Sequence, residues 1–187
     1  MRCRVTFCSF AAIAAIASTT ALQAKADLVI LVRHAEKSSG ADDPDLAPAG
    51  RERAEALARA LAHVPLTAVI TTQYRRTALT AAPAARQQNL APRVVASAGD
   101  VAAHAAAIAA ALGDLPDGTA ALVVGHSNTI APIIAALGGP QVPNLCDAEH
   151  GILYVLHRSK PDQPARLLKS RYGAPDPPQA EACAVSR

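Results

Sequence analysis

The sequence is poor in aromatic residues. Phe, Trp and Tyr together make up 3% of its 187 residues, tryptophan is absent, and methionine occurs once. A buried core must therefore consist mainly of Leu, Val, Ile and Ala, within an apolar fraction of 51%. No internal repeat and no long linker divides the chain, so we expect one domain of ordinary size with a substantial core.

Long hydrophobic runs are also missing. The apolar stretch from Val5 to Ala17 is shorter than the roughly 20 residues that a transmembrane helix needs. It follows a short basic segment and precedes Ala24-Lys25-Ala26, with small residues at the positions typical of signal-peptidase cleavage. The pattern predicts a signal peptide at residues 1–26 and an exported protein, periplasmic or secreted, that keeps no stable membrane anchor after processing.

Little net charge remains once that segment is removed. The whole chain has 18 basic and 15 acidic residues, for a formal charge of +3. Arg2, Arg4 and Lys25 lie in the predicted signal peptide, which has no acidic residue, so 15 residues of each sign remain. A nearly neutral mature protein gives no support for nucleic-acid binding.

Cysteines are few. Of the four in the chain, Cys146 and Cys183 follow the predicted cleavage site. An even pair in an oxidising compartment favours a disulfide between them. Two free thiols are the alternative, because the sequence does not show that the two positions approach each other. No residues have the spacing of metal ligands, and we expect no metal and no other cofactor.

Short apolar strands alternate with segments of helical periodicity. The predicted strands are residues 28–32, 66–71, 93–97, 120–125, 151–157 and 166–172, and the predicted helices are 48–63, one starting within 72–82, 101–112, and one ending at 137. Pro83 is expected to kink or end the second helix. The alternation predicts a three-layer α/β/α sandwich with a mostly parallel central sheet. Residues 27–172 form the expected domain, and the Pro- and Ala-rich residues 173–187 an irregular tail.

Polar clusters follow three of these strands directly. They are Arg33-His34, Arg75-Arg76 and His126-Ser127. The carboxyl ends of parallel strands meet at one crevice, where ligands bind in open α/β sheets. A neutral imidazole can act as a nucleophile there, and a guanidinium can hold an anion through several fixed donors. The convergence of histidines and arginines predicts a phosphate pocket, to which Ser127 and the amides at the start of the next helix can add donors.

Four segments, in order along residues 28–138, resemble the motifs of the histidine phosphatase (phosphoglycerate-mutase-like) superfamily. Val32–Lys37 resembles its Arg-His-Gly or Arg-His-Ala motif, and Leu46–Ala54 resembles its Leu-Thr-Gly segment. Thr71–Ala81 is similar to its Ser-Ser-x-x-x-Arg-Ala-x-x-Thr-Ala pattern, and Gly125–Thr129 to its Gly-His motif. The resemblance implies the fold of that superfamily and hydrolysis of a small phosphorylated substrate through a phosphohistidine, without a metal.

The resemblance also assigns roles to individual residues. His34 matches the histidine that becomes phosphorylated, and Arg33, Arg76 and His126 match the rest of the phosphate pocket. Counting back from Thr80-Ala81 selects Arg76, and not the preceding arginine, as the match.

One family feature is not evident. Efficient phosphomonoesterases of this family carry an acidic proton donor between the second arginine and the second histidine. Asp100 is the candidate in that interval, although it is equally suited to cap the helix that follows it. Without a donor, substrates would be limited to those with good leaving groups. The chain also lacks the insertions of mutase members, which favours hydrolysis.

Two alternatives remain open from the residues alone. The turn around Ser127 also resembles a nucleophile elbow. A serine esterase using Ser127, Asp147 and either His150 or His157 has the correct chain order, but leaves both arginine clusters unexplained. The other alternative is a non-catalytic phosphate-binding relative, whose mark would be loss of the nucleophilic histidine or of an arginine. Neither is lost. Glu149 and His150 precede a strand and are further candidates to reach the crevice.

Overall fold

Six strands form one sheet in the computed structural model, which describes residues 27–158 and 164–178. In chain order the elements are β1 (Leu28–Arg33), α1 (Pro48–Ala60), β2 (Leu66–Thr71), α2 (Arg75–Gln87), β3 (Arg93–Val94), α3 (Val101–Gly113), β4 (Ala120–Gly125), α4 (Ile130–Ala136), β5 (Ile152–His157) and β6 (Arg166–Arg171). The spatial order of the strands is β3-β2-β4-β1-β5-β6. The first four of these are parallel, and the pairings of β5 with β1 and with β6 are antiparallel. The predicted α/β fold with a mostly parallel sheet is confirmed.

Strand β1 is buried on both faces. Val29 and Leu31 pack into the core on the side of α3 and α4. Ile30 and Val32 point the other way, into the core on the side of α1 and α2. Alternation of side chains along a strand thus places one apolar layer on each face of the sheet. The continuous apolar run before Arg33 reflects this position between two helical layers.

The register of the strands brings the polar clusters to one edge. Arg33 at the end of β1 lies opposite Gly125 at the end of β4. Because β5 runs antiparallel to β1, with Val32 opposite Leu153, the residues that precede β5 lie at the same edge. The carboxyl ends of β1, β2 and β4 therefore share a crevice with the segment before β5.

Helix α2 continues through Pro83 to Gln87. Of the two outcomes expected at Pro83, a kink or an end of the helix, the end does not occur. A proline removes one hydrogen bond, here to the carbonyl of Leu79. Pro83 is buried, on a helix that packs against α1, and tertiary packing of this kind outweighs an unfavourable local propensity.

Arg53 of α1 links Glu36, in the segment after β1, to Tyr172 and Ala174, which follow β6. Its guanidinium donates to both carboxylate oxygens of Glu36, at 2.7 to 3.0 Å, and to the carbonyls of Tyr172 and Ala174 at 3.1 and 2.9 Å. Asp176 lies 3.5 Å from the same guanidinium. Residues beyond the predicted domain boundary at 172 thus pack against the domain.

The predicted signal peptide, and Cys183 in the predicted tail, lie outside the described residues. Within the described ranges, no helix combines the length and the apolar character that crossing a membrane requires.

Gly50 allows α1 to lie directly against the first motif. A Cβ atom at this position would stand 2.1 Å from the carbonyl oxygen of Glu36, well inside contact distance. The same oxygen accepts a hydrogen bond from the backbone N–H of Ala47, at 2.9 Å, just before the helix. Only glycine permits so close an approach of two backbones.

Replacement of Gly50 by Ala is expected to lower the free energy of unfolding by about 1–3 kcal/mol, because the added methyl group pushes α1 away from Glu36. Chemical denaturation measures the change. Gly113→Ala is the matched control, since nothing lies within 4 Å of a Cβ there. It should instead stabilise the protein by roughly 0.4–1 kcal/mol. Equal effects of the two substitutions would contradict the packing role of Gly50.

Candidate active site

His34 is the first residue beyond β1. Its backbone N–H donates to the carbonyl of Gly125 at 2.9 Å, which extends the pairing with β4 by one residue. The side chains of Arg33 and His34 are buried, with 6% and 4% of each residue exposed. The strand therefore delivers both residues to the crevice in fixed positions.

A hydrogen bond sets the tautomer of His34. Its Nδ1 lies 2.8 Å from the carbonyl oxygen of Ala35. A carbonyl oxygen only accepts hydrogen bonds, so Nδ1 carries the proton and Nε2 has the free lone pair. The N–H of Ala35 donates to Oγ1 of Thr80, at 2.9 Å, which fixes the peptide group that holds the ring.

Burial keeps His34 neutral. Removal of the imidazole from water lowers the pKa of His34 to about 3, and the positive charge of Arg33 acts in the same direction. At neutral pH, Nε2 of His34 is therefore an unprotonated nitrogen held beside cationic side chains.

His126 faces His34 from the end of β4. The two ring centroids are 5.4 Å apart, with an angle of 63° between the planes. Nε2 of His126 lies 3.1 Å from Oγ1 of Thr72, which in turn bonds Oγ1 of Thr77 at 3.0 Å. Burial, followed by the charge of Arg76, lowers the pKa of His126 to about 4. His126 is thus also neutral in the free protein.

Arg76, and not Arg75, lies next to these histidines. Its guanidinium is 4.1 Å from the ring centroid of Tyr74. The ring centroids of Tyr74 and His126 are in turn 5.5 Å apart. The side chain of Arg75 is 59% exposed and pairs with Asp45 on the surface. The structure therefore places Arg76, the arginine that the motif spacing selects, in the crevice.

Arg33 and Arg76 both have an unmet hydrogen-bonding capacity. Nη1 of Arg33 donates to the carbonyl of Cys146 at 2.7 Å, and Nη2 lies 3.4 Å from Asp147. In the part of the chain that the structure describes, the Nε atoms of Arg33 and Arg76 are buried without a hydrogen-bond partner. Burial lowers the pKa of Arg33, and the charge of Arg76 acts in the same direction. Two guanidinium groups with unused donors suit an anion.

His150 lies against His34. Its Nδ1 donates to the backbone carbonyl of His34 at 2.9 Å, and the two rings are 5.8 Å apart. The N–H groups of His150 and Gly151 donate to the buried carboxylate of Asp176, at 2.9 and 2.8 Å. The expectation that the segment before β5 reaches the crevice is confirmed for His150.

Asp100 is not joined to this cluster. Its carboxylate accepts a hydrogen bond from the N–H of Ala103 at 2.7 Å and caps α3, and the residue is exposed. Among the described residues, no hydrogen bond or ion pair links Asp100 to His34 or His126. The structure thus favours the capping role.

The esterase arrangement is not assembled either. Oγ of Ser127 donates to Asp147 at 3.2 Å, and no histidine of the described ranges hydrogen-bonds to Ser127. His150 uses Nδ1 on the carbonyl of His34. His157 pairs with Leu28, at the opposite end of the sheet.

Cys146 forms a disulfide. It is the only cysteine within the described ranges, and its predicted partner Cys183 lies outside them. The pairing stays a prediction. In those ranges, no group of three or more His, Cys, Asp or Glu residues is arranged to hold a metal ion.

Several residues of the crevice were missed by sequence reasoning. Thr72 and Tyr74 lie within the segment that resembles a family motif, so their position at the end of β2 was a usable signal. Asp43 lies 3.6 Å from Arg76 and Asp147 lies 3.4 Å from Arg33, and neither contact has a local sequence signature. Asp176 lies in the segment predicted as an irregular tail.

The two neutral histidines make stability depend on pH. In an unfolded chain, histidine binds a proton near pH 6.5. In the folded protein, His34 and His126 bind one only near pH 3 and pH 4. Between these values the unfolded state holds more protons, so the stabilisation is present above pH 6.5 and declines as the pH falls. From pH 7 to pH 5 we expect each histidine to lower the free energy of unfolding by about 2 kcal/mol.

Urea titrations at pH 7 and pH 5 measure this loss. His34→Gln places an amide at the site that does not titrate, and should reduce the loss by about 2 kcal/mol. A variant with the pH dependence of the wild type would contradict a buried neutral His34.

Comparisons with known proteins agree with this arrangement. Residues 29–97 match the family model of the histidine phosphatase superfamily, branch 1. A comparison with curated proteins found no match. The mycobacterial glucosyl-3-phosphoglycerate phosphatase Rv2419c, in its VO3 complex, is 17% identical with a TM-score of 0.58, over 80% of this chain and 100% of that one. The protein histidine phosphatase SixA, complexed with tungstate, is 17% identical with a TM-score of 0.61, over 77% of this chain and 96% of that one.

At these levels of identity the solved structures establish a shared fold. The family model adds the strand that carries Arg33 and His34 and the helix that carries Arg76. Residues 29–97 thus resemble the histidine phosphatase superfamily in sequence, and the chain as a whole shares the fold of these phosphatases.

Proposed function

We propose that this protein is a phosphohydrolase that transfers a phosphoryl group from a small substrate to His34 and then to water. The observation that carries the proposal is the state of His34. Nδ1 donates to Ala35, so the lone pair of Nε2 is free, and the pKa near 3 keeps it unprotonated at neutral pH. The match of residues 29–97 to the histidine phosphatase family model supports the phosphatase reaction.

In the first step, Nε2 of His34 attacks phosphorus and the bond to the leaving group breaks. The charge of the transition state is spread over the equatorial phosphoryl oxygens, which positive donors stabilise. Arg33 and Arg76 are suited to this role, because each has a buried Nε with no partner within the described residues. His126 has Nε2 on Thr72, which leaves Nδ1 to donate to a phosphoryl oxygen.

In the second step, water attacks the phosphohistidine and releases phosphate. The bond from Nδ1 of His34 to Ala35 holds the ring in one tautomer through both steps. The hydrogen bond from His150 to the carbonyl of His34 fixes the backbone in the same way. The reaction as proposed needs no metal and no other cofactor.

The names of the two similar structures indicate two different substrate classes. One is a glucosyl-3-phosphoglycerate phosphatase and the other a protein histidine phosphatase. They support a phosphatase without selecting its substrate. We further propose, from the signal-like residues 1–26, that the protein acts outside the cytoplasm on a small phosphorylated compound.

Substitution of His34 by Ala is expected to abolish hydrolysis of p-nitrophenyl phosphate, because no other group within the described site is placed as the nucleophile. Release of p-nitrophenol measures turnover, and thermal unfolding confirms that the variant folds. A folded variant with wild-type turnover would contradict the proposal. A wild-type protein that binds phosphate without turnover would support the phosphate-binding relative.

The arginine substitutions test the anion site separately. Arg76→Ala removes charge-assisted hydrogen bonds, each worth about 1.5–3 kcal/mol, and should weaken inhibition by vanadate roughly 10- to 100-fold. Arg75→Ala removes an exposed guanidinium paired with Asp45 and is the matched control, with a change below about 3-fold. A large loss for Arg75→Ala and none for Arg76→Ala would place the anion elsewhere.

A further inference from the structure

Each arginine of the phosphate pocket has a carboxylate beside it at the mouth of the crevice. Asp147 lies 3.4 Å from Nη2 of Arg33, and Asp43 lies 3.6 Å from Nη1 of Arg76. The arginine side chains are largely buried, whereas the carboxylate of Asp147 is 92% exposed and that of Asp43 is 34% exposed. Both carboxylates thus occupy the boundary between the pocket and solvent.

These pairs offset the positive charge of the two arginines. Two guanidinium groups face two carboxylates, and burial lowers the pKa values of His34 and His126 so that neither ring contributes charge. A phosphate dianion that enters the pocket therefore meets the carboxylate that is paired with each arginine. Repulsion between the dianion and a neighbouring carboxylate favours the protonated carboxyl group, which can then donate a proton.

The two carboxylates differ in what holds them. Asp43 accepts from the backbone N–H of Arg75 through both oxygens, at 3.1 and 3.0 Å, at the start of α2. These two contacts anchor Asp43 at the helix N-terminus. Asp147 has only the 3.4 Å contact with Arg33 and the 3.2 Å hydrogen bond from Ser127 in the described structure. Asp147 loses its contact with Arg33 when phosphate binds to that arginine.

Ser127 keeps Asp147 at the crevice when that contact is lost. It directly follows His126 at the end of β4, and its Oγ donates to Oδ1 of Asp147. In-line attack by the buried His34 puts the leaving group on the far side of phosphorus from Nε2. A leaving group that projects from Arg33 toward solvent would lie near the exposed carboxylate of Asp147.

We propose that Asp147 is the general acid that protonates the leaving group, and that the substrates are therefore phosphomonoesters of ordinary alcohols. The inference rests on the proposed phosphohistidine reaction. It assigns the missing proton donor to the segment before β5, and not to Asp100, which caps α3.

The proton balance of the reaction is complete. As the bond from Nε2 of His34 to phosphorus forms, the bond from phosphorus to the ester oxygen breaks, and the carboxyl proton of Asp147 moves to that oxygen to give the alcohol. Water then attacks phosphorus and gives a proton to Asp147 as the bond to Nε2 breaks. Inorganic phosphate leaves, and both side chains return to their starting state.

The test compares two leaving groups of similar shape. p-Nitrophenolate is a weak base and departs without a proton, whereas phenolate is a stronger base and benefits from one. Asp147→Asn keeps the size of the side chain and removes the acidic proton. It should lower kcat/KM for phenyl phosphate on the order of 100-fold, and that for p-nitrophenyl phosphate far less. Asp43→Asn is the matched control, and should change kcat/KM for both esters by the same factor.

The outcomes separate the two proposals. Equal effects of Asp147→Asn on both esters, or a selective loss in Asp43→Asn instead, would overturn the assignment of Asp147 while leaving the phosphohistidine reaction intact. Turnover of p-nitrophenyl phosphate by wild type that persists in His34→Ala would instead overturn the reaction itself. A loss confined to phenyl phosphate in Asp147→Asn supports the inference.

Discussion

Burial of β1 on both faces fixes the position of every other part of the crevice. Its apolar residues alternate between the two helical layers, and the strand lies between β4 and β5. The strand cannot slip by one residue without exchanging the two layers, so Arg33 and His34 must appear at its carboxyl end. His126 follows β4 in register with them. Hydrogen bonds from Arg53 to Glu36 and Tyr172, together with the close contact of Gly50 with Glu36, hold α1 and Tyr172 against this strand. The geometry of the candidate site is here a consequence of core packing.

The electrostatic character of the site follows from the same burial. An imidazole removed from water and placed near two guanidinium groups stays neutral, which a nucleophile requires. The arginines keep their charge, and the carboxylates of Asp43 and Asp147 offset it at the mouth. In the proposed reaction, an anion that binds the arginines competes with these carboxylates at the rim. The proposal thus assigns nucleophilic attack to the buried His34 and leaving-group chemistry to the exposed rim.

The sequence was sufficient for the parts of the molecule that depend on short-range patterns. The strand before Arg33, the helix after Asp100 and the choice of Arg76 over Arg75 follow from apolar alternation, capping preference and motif spacing. Helix α2 does not end at Pro83, because the local penalty of proline is outweighed by packing against α1. The sequence did not predict the contact of Asp147 with Arg33, which joins positions 114 residues apart, or the role of Asp176, which lies in a segment without periodicity. Contacts of this kind depend on the tertiary fold, and no local sequence pattern predicts them.

The central claim is that His34 becomes covalently phosphorylated, and intact-mass measurement tests it most directly. The protein is mixed with p-nitrophenyl phosphate, and the reaction is stopped rapidly without acid, because the nitrogen–phosphorus bond is labile in acid. The account predicts a transient gain of one phosphoryl group in the wild type and none in His34→Ala. Hydrolysis of the ester with no adduct at any time, or an adduct that persists in His34→Ala, would contradict it.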